Sequence, residues 1–359
     1  PQAGATAVSK FAFLVHPRAD VSRDLARVWS PLGAVPSPVL EWGLRHLPVP
    51  PLTLGTVERA DEEGVAGWVV VVPVGARQLL TEDRRWVLGK VEQAVDLACG
   101  LGADVVGLGA LTAPVTGGGR LLRERPGLTI TNGNAFTAHL TVQAVHRLVA
   151  GMDRPHVAVL GATGSVGSCV VRLLADEGAA DLGALTLVAR RRHRLAELAR
   201  GVRAALPGLV VREATELDAV RDADLVVVLT SSTDALLRSE HLKPGAVVLD
   251  DTQPRNTDPV LTVERPDVTV VDGGLADVGG LDVRADIGLP RGYSYACLCE
   301  TMLMAFGGCT ASAVGDASVE HARRMSDLAE RHAHLGFGLA EPLSFGRPLA
   351  APARELVGL

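Results

Sequence analysis

A chain of 359 residues that is 47% hydrophobic and 21% charged is longer than one compact core usually organises, and it has ordinary globular composition. Two domains are expected and a largely disordered chain is excluded, while a net charge of -6 disfavours nucleic acid as the primary partner. Five cysteines (Cys99, Cys169, Cys297, Cys299, Cys309) are too few for a disulfide scaffold and lack paired C-x-x-C knuckles, which fits a reducing cytoplasm and no metal centre.

Residues 1–9 read as a loose end without a targeting pattern, and no apolar run is long enough to span a bilayer, so membrane contact is at most peripheral. FAFLVHP from Phe11 predicts a strand ended by Pro17, with a helix-compatible stretch over Asp20–Trp29. The prolines between residues 31 and 54 argue against long regular elements there. Gly67–Gly75 (GWVVVVPVG) predicts a buried strand. Arg85–Leu101 predicts a helix with Val87, Val91, Ala94, Val95 and Ala98 along one side. Ala103–Thr112 reads as a strand running into a glycine turn. A flexible Gly117–Gly119, a strand-like LTITNGNAFT and a helix over Ala138–Val149 follow. This strand–helix alternation describes an N-terminal α/β substrate domain over 1–150.

Beyond the polar link Met152–Pro155 the pattern becomes more regular. Strands are expected at 156–160, 184–189, 209–212, 224–229, 246–250 and 268–272, with helices notably at 165–177 and 193–205. That is a doubly wound parallel Rossmann sheet over 151–290. Residues 291–359 turn helical again, through ACLCETMLMAF and a charged stretch around Ala317–Ala333, and would complete the substrate domain.

Gly161, Gly164 and Gly167 form G-x-x-G-x-x-G where the first of these strands turns into its helix. Glycines permit the tight turn, and the free amides and dipole of the helix attract a pyrophosphate, with Thr163, Ser165 and Val166 between them as further cofactor contacts. The bland reading is a glycine-rich turn with no ligand. The second strand ends in Arg190, Arg191 and Arg192, where an NAD site would usually carry an acidic residue. Arginine pairs with a 2'-phosphate, so NADPH is the expected cofactor; a solvated basic helix start is the alternative. Ser231 and Ser232, after the fourth strand, fall where the nicotinamide would lie.

Chemistry narrows by elimination. Tyr293 and Tyr295 are the only tyrosines and neither has a lysine four residues on, which excludes the short-chain dehydrogenase mechanism. The three lysines leave little scope for Schiff bases, and His332 and His334 stand alone in a charged helix. Thiol chemistry at Cys297 remains. It lies where an irregular Gly-Tyr stretch becomes an apolar helix, and unpaired amides in a first helical turn favour thiolate. Glu300, one turn on, is a candidate to orient water or manage a proton. A small buried helix residue is the competing reading of Cys297.

Several segments then resemble, in the same order, the long-chain acyl-(acyl-carrier-protein) reductases. Lys90–Thr112 is similar to a family helix and its glycine-containing strand end, and TNGNAFTAH (Thr131–His139) to T-G-N-T-H-T-A-Y. VAVLGATGSVGS and LVARR resemble the cofactor loop and second-strand end, LDDTQPRN resembles D-G-G-Y-P-K-N, and Gly273 and Gly274 match a later glycine pair. ACLCETMLM is similar to A-C-F-A-E-A-M-L-L, whose cysteine accepts the acyl group. The resemblance covers about residues 65–335. It implies Cys297 as nucleophile with Glu300 beside it, NADPH as reductant, and an acyl carrier protein or coenzyme A thioester reduced to an aldehyde. Phe136, Ala113, Gln253 and Arg255 depart from the family pattern in stretches expected to line the substrate side. The rival readings are an NADP-dependent dehydrogenase of the shikimate or glutamyl-tRNA reductase type, and a non-catalytic NADP-sensing module. Self-association into a homo-oligomer is left open.

Overall fold

Two six-stranded sheets organise the chain, each built from short, buried runs of valine, leucine and alanine. The computed structural model describes residues 9–349 except 19, 27–28, 179–181 and 233–235, so all but the last residue of the expected loose end lies outside the described residues. The α/β class with parallel Rossmann-like sheets is as expected. The chain divides into two compact units: residues 1–133, 277–315 and 324–338 form the first, and residues 134–276, 316–323 and 339–359 the second.

In the first unit β1 (Phe11–Val15) lies between β3 (Val65–Val71) and β4 (Val105–Leu108), parallel to both, with β5 (Thr129–Thr131) parallel on the far side of β4. β2 (Leu52–Arg59) runs antiparallel to β3. Helix α1 (Val21–Leu25) is capped by the Asp20 carboxylate. The proline-rich stretch holds an element that the sequence reading argued against: α2 (Ser37–His46), with Pro38 in its first turn. Proline is costly inside a helix but compatible with its first turn, where its missing N–H would have no partner. After α3 (Ala76–Thr81) comes α4 (Arg84–Gly100), which buries Val87, Val91, Ala94, Val95 and Ala98 as its spacing predicts. The short α5 (Thr112–Val115) follows β4.

The second unit begins with α6 (Asn134–Val149), four residues earlier than expected. Its buried Ala135, Ala138, Val142, Val145 and Leu148 join the core of the second sheet, which is why it groups with that unit and not with the first 133 residues. The sheet is wholly parallel, in the order β11 (Thr269–Asp272), β10 (Val247–Asp250), β9 (Leu225–Val228), β6 (His156–Leu160), β7 (Ala184–Val188), β8 (Val210–Ala214). Each strand lies within about two residues of its expected position. Helices α7 (Ser165–Asp176), α8 (Arg192–Ala205) and α9 (Val260–Glu264) complete it.

The chain then returns through β12 (Leu275–Asp277) and β13 (Leu281–Val283), which pairs antiparallel with β2 and closes the edge of the first sheet. β14 (Tyr293–Tyr295) leads into α10 (Ala296–Phe306). Helix α10 lies on β4 at Gly107, where a Cβ would fall 1.9 Å from Thr301 Oγ1, so only glycine lets this helix come so close. The C-terminal part is not helical throughout. After α11 (Val319–Arg331) it forms a small hairpin, β15 (Leu343–Ser344) with β16 (Arg347–Pro348), and residues 350–359 lie outside the described residues.

Candidate active site

Cys297 is the second residue of α10, and the residue preceding the helix, Tyr295, offers no side-chain cap. The first amides of a helix have no carbonyl partner within it, so they favour negative charge at this position. Cys297 is half-buried, whereas Cys169, Cys299 and Cys309 are buried and Cys99 is exposed at the end of α4. Burial pushes the Cys299 thiol far up, away from thiolate. Cys309 Sγ accepts a hydrogen bond from Arg324 Nη2 at 3.3 Å. Cys297 alone combines partial exposure with a helix start.

The turn after β5 is pressed against that cysteine. Gly133 has φ +72°, and a Cβ on it would stand 2.2 Å from Cys297 Cβ and 2.4 Å from Cys297 Cα. Thr131 Oγ1 accepts from the Gly133 amide at 3.1 Å and donates to Glu300 Oε1 at 2.5 Å. Glu300 is fully buried, and Thr131 links its carboxyl to the Gly133 turn. The Thr301 hydroxyl donates to the Cys297 carbonyl oxygen at 3.0 Å. Thr131 opens the TNGNAFTAH stretch, but its pairing with Glu300 has no signal in the sequence, because the two are 169 residues apart.

Two neighbouring turns in the same unit are fixed by polar side chains. Asn132 Nδ2 donates to the Gly118 carbonyl at 3.2 Å and the Gly315 carbonyl at 2.8 Å, and the Gly315 amide donates to Gly118 at 2.8 Å. The Gly117–Gly119 segment, expected to be a flexible link, is therefore a bonded turn. Its three positive φ angles (63°, 68° and 93°) are the reason it is glycine. His16, after β1, donates from Nδ1 to the Pro17 carbonyl (2.8 Å) and accepts at Nε2 from the Leu111 amide (3.2 Å). Only the neutral ring satisfies both bonds, and burial lowers its pKa accordingly.

The glycine loop stands between β6 and α7. Gly161 has φ +82°, and a Cβ there would lie 2.5 Å from the Leu229 carbonyl oxygen. A Cβ on Gly167 would lie 2.3 Å from the Gly161 carbonyl oxygen. These two glycines let strand and helix pack closely. Gly164 opens α7 with no side-chain cap and is exposed; Thr163, Ser165 and Val166 are half-buried. The donor set suits a pyrophosphate, with open amides at a helix start and no Cβ in the way. Ser165 Oγ is partly committed, accepting from Asn134 Nδ2 and the Ala317 amide at 2.9 Å each. Arg190 and Arg191 are exposed beyond β7. Ser231 is exposed after β9, and the Ser232 carbonyl accepts from Asn256 Nδ2 at 2.9 Å.

Next to β9, the end of β10 carries a pair of carboxyls. Asp250 is buried and takes three backbone amides (Thr252, Asn256, Thr257) and two hydroxyls (Thr252, Thr257). Asp251 is half-buried and accepts from Thr141 Oγ1 on α6. Burial first, and then the Asp250 charge, push its pKa up to about 7 from 3.8. A carboxyl whose pKa is raised on folding stabilises the fold fully below its unfolded value, and that stability drains away as pH climbs toward the folded value. Asp251→Asn is therefore expected to match the parent near pH 4 and to exceed it above pH 7, by about 2–4 kcal/mol. Melting temperatures of both proteins from pH 4 to pH 8.5 check this; parallel curves would refute it.

No known protein-family model matches the chain. It is 24% identical over 312 residues to the aminotransferase PigE of a Serratia species, covering 83% of this chain and 35% of that protein. It is 29% identical over 287 residues to the long-chain acyl-(acyl-carrier-protein) reductase of Synechococcus elongatus (69% of this chain, 77% of that one). It is 34% identical over 191 residues to the glutamyl-tRNA reductase of Caldivirga maquilingensis (52% and 43%). The chain thus spans about a third of the aminotransferase and under half of the glutamyl-tRNA reductase. Among solved structures, quinate dehydrogenase from Corynebacterium glutamicum in complex with NAD aligns over 89% of this chain and 98% of its own, at 15% identity and a TM-score of 0.40. No helix of the described residues is long and apolar enough to cross a membrane. Two of the three relatives are named reductases, and the similarity to each is partial in length or in identity.

Proposed function

We propose that this chain is an NADPH-dependent oxidoreductase that accepts an acyl group from an acyl carrier protein or coenzyme A thioester on Cys297 and releases it as an aldehyde, in a cytoplasmic setting. The observation that carries the reading is the half-buried Cys297 at an uncapped helix start, backed by Gly133. The Cys297 thiolate adds to the thioester carbonyl, the bond to the carrier sulfur breaks, and the carrier leaves as its thiol after taking a proton. A reduced nicotinamide, when bound, supplies hydride to the carbonyl carbon. The oxyanion then expels the Cys297 sulfur as thiolate, freeing the aldehyde and restoring the enzyme. Amides opening α10 are the donors suited to that oxyanion. Glu300, through Thr131 and the Gly133 amide, is a positioning residue for the cysteine. Gly161, Gly164, Gly167, Thr163, Ser165 and Val166 would hold the cofactor pyrophosphate, with Ser231 toward the nicotinamide end.

The test uses acyl thioester without NADPH. Mass spectrometry should locate one acyl adduct on Cys297; a clean protein that still binds NADPH favours the sensing module. The exposed Arg190 and Arg191 support the 2'-phosphate assignment. Arg190→Glu is expected to weaken NADPH roughly 10-fold or more while leaving NADH nearly unchanged. Equal affinity of the parent for the two cofactors in a binding titration would end that assignment. An aldehyde is also the carbonyl substrate of transamination, so the partial match to an aminotransferase supports amine formation as the consuming step.

A further inference from the structure

One carboxyl in the second unit has no part in the chemistry above. Asp251 leaves the sheet at the same edge as the glycine loop: Gly161 follows β6, Ser231 follows β9, and β9 lies between β6 and β10. In open parallel sheets ligands sit beyond the carboxyl ends of the strands. Asp251 Oδ2 meets Thr141 Oγ1, and that same hydroxyl lies 2.7 Å from the Thr137 carbonyl oxygen. A hydroxyl has one proton to give. When Thr141 donates to the carbonyl, its contact with Asp251 is a hydrogen bond only if the carboxyl brings a proton. When Asp251 is ionised, Thr141 turns its proton to the carboxylate instead. Both states keep the Asp251 contact bonded, and they differ by one proton and one hydroxyl rotation.

The other face of the side chain rests on bare backbone. A Cβ on Gly274 (φ +62°) would stand 2.1 Å from Asp251 Oδ1, and one on Gly273 would stand 2.8 Å from Asp251 Cβ. The charged groups around it are already engaged. Asp250 is satisfied by Thr252, Asn256 and Thr257, while Asp272, from β11, is paired with Arg255 at 2.9 Å. From α6 the Thr141 hydroxyl faces it.

We infer that Asp251 couples proton binding to the oxidation state of the bound nicotinamide cofactor, being ionised beneath the oxidised form and neutral beneath the reduced form. The inference rests on the cofactor reading above. An oxidised nicotinamide ring carries a positive charge and a reduced one does not, so a nearby carboxylate favours the first, and loss of that charge lets the proton return. The titration near neutrality described above puts the exchange in a usable range. No covalent step is involved: one proton leaves Asp251 for solvent when the oxidised form binds, and one comes back when the reduced form replaces it.

Affinities of NADP+ and NADPH for the full chain at pH 6 and pH 8.5 test this. The phosphates common to both forms cancel in the ratio of the two constants. That ratio should shift about fivefold toward NADP+ at the higher pH. Asp251→Asn, which can still donate to Thr141, should hold it constant. Thr141→Val, which removes a bond favouring the ionised form, should move the midpoint upward and keep the inference testable should the Asn variant not fold. Both forms binding at a pH-invariant ratio, or an unchanged shift in folded Asp251→Asn, would overturn the inference alone. No binding of either form at any pH would overturn the cofactor reading together with it.

Discussion

Cys297→Ala is expected to abolish covalent acylation and to lower aldehyde formation by at least about 10³-fold, some 4 kcal/mol of transition-state stabilisation. The fold should hardly notice, since the side chain is half-buried and small. Cys299→Ala two residues on should do the reverse. It empties a site with no exposed surface and should cost roughly 1–2 kcal/mol of stability while leaving the adduct in place. Intact-protein mass after incubation with acyl thioester, alongside thermal melts, reads both variants. Undiminished aldehyde output from Cys297→Ala would remove the sulfur from the chemistry altogether.

Gly133→Ala should have the second largest effect. The new methyl would need the space that Cys297 Cβ occupies, 2.2 Å away, at a φ of +72° that alanine resists. Strain of about 1 kcal/mol and overpacking of about 1–3 kcal/mol add to a loss of some 2–4 kcal/mol. Displacing the nucleophile by even an ångström should slow acylation about 100-fold. Gly127→Ala is the control: its φ is +77° and nothing lies within 4 Å of a new Cβ, so it bears the strain without the overlap. Comparable acylation rates in the two variants would mean the Gly133 turn does not set the cysteine's position.

The second sheet was readable almost residue by residue, because parallel strands buried on both faces are written as runs such as HVAVL and LVVV between turn residues. The α2 helix was not readable, since a count of prolines does not say where in a helix they fall. Cys297 and Glu300 stood out as residue types in a pattern, but what holds them did not. The Thr131 hydroxyl and the Gly133 turn come from the edge strand of a sheet and meet α10 only after the chain has run through residues 134–276 of the second unit. Asp251 was hidden for another reason. One aspartate in a loop of mixed polar residues looks like any other until Thr141 and the Gly273–Gly274 backbone are known to close around it.

The chain passes between the two units at 133/134, 276/277, 315/316, 323/324 and 338/339. No single cut therefore yields a self-contained fragment, and a chain truncated after residue 150 would carry α6 away from the core it helps fill. Swapping the first unit for a foreign one would take three grafted segments spliced together. The splice after Gly133 is the most exacting, since the peptide bond there joins a residue wedged against Cys297 to Asn134, whose side-chain amide donates to Ser165 at the start of α7.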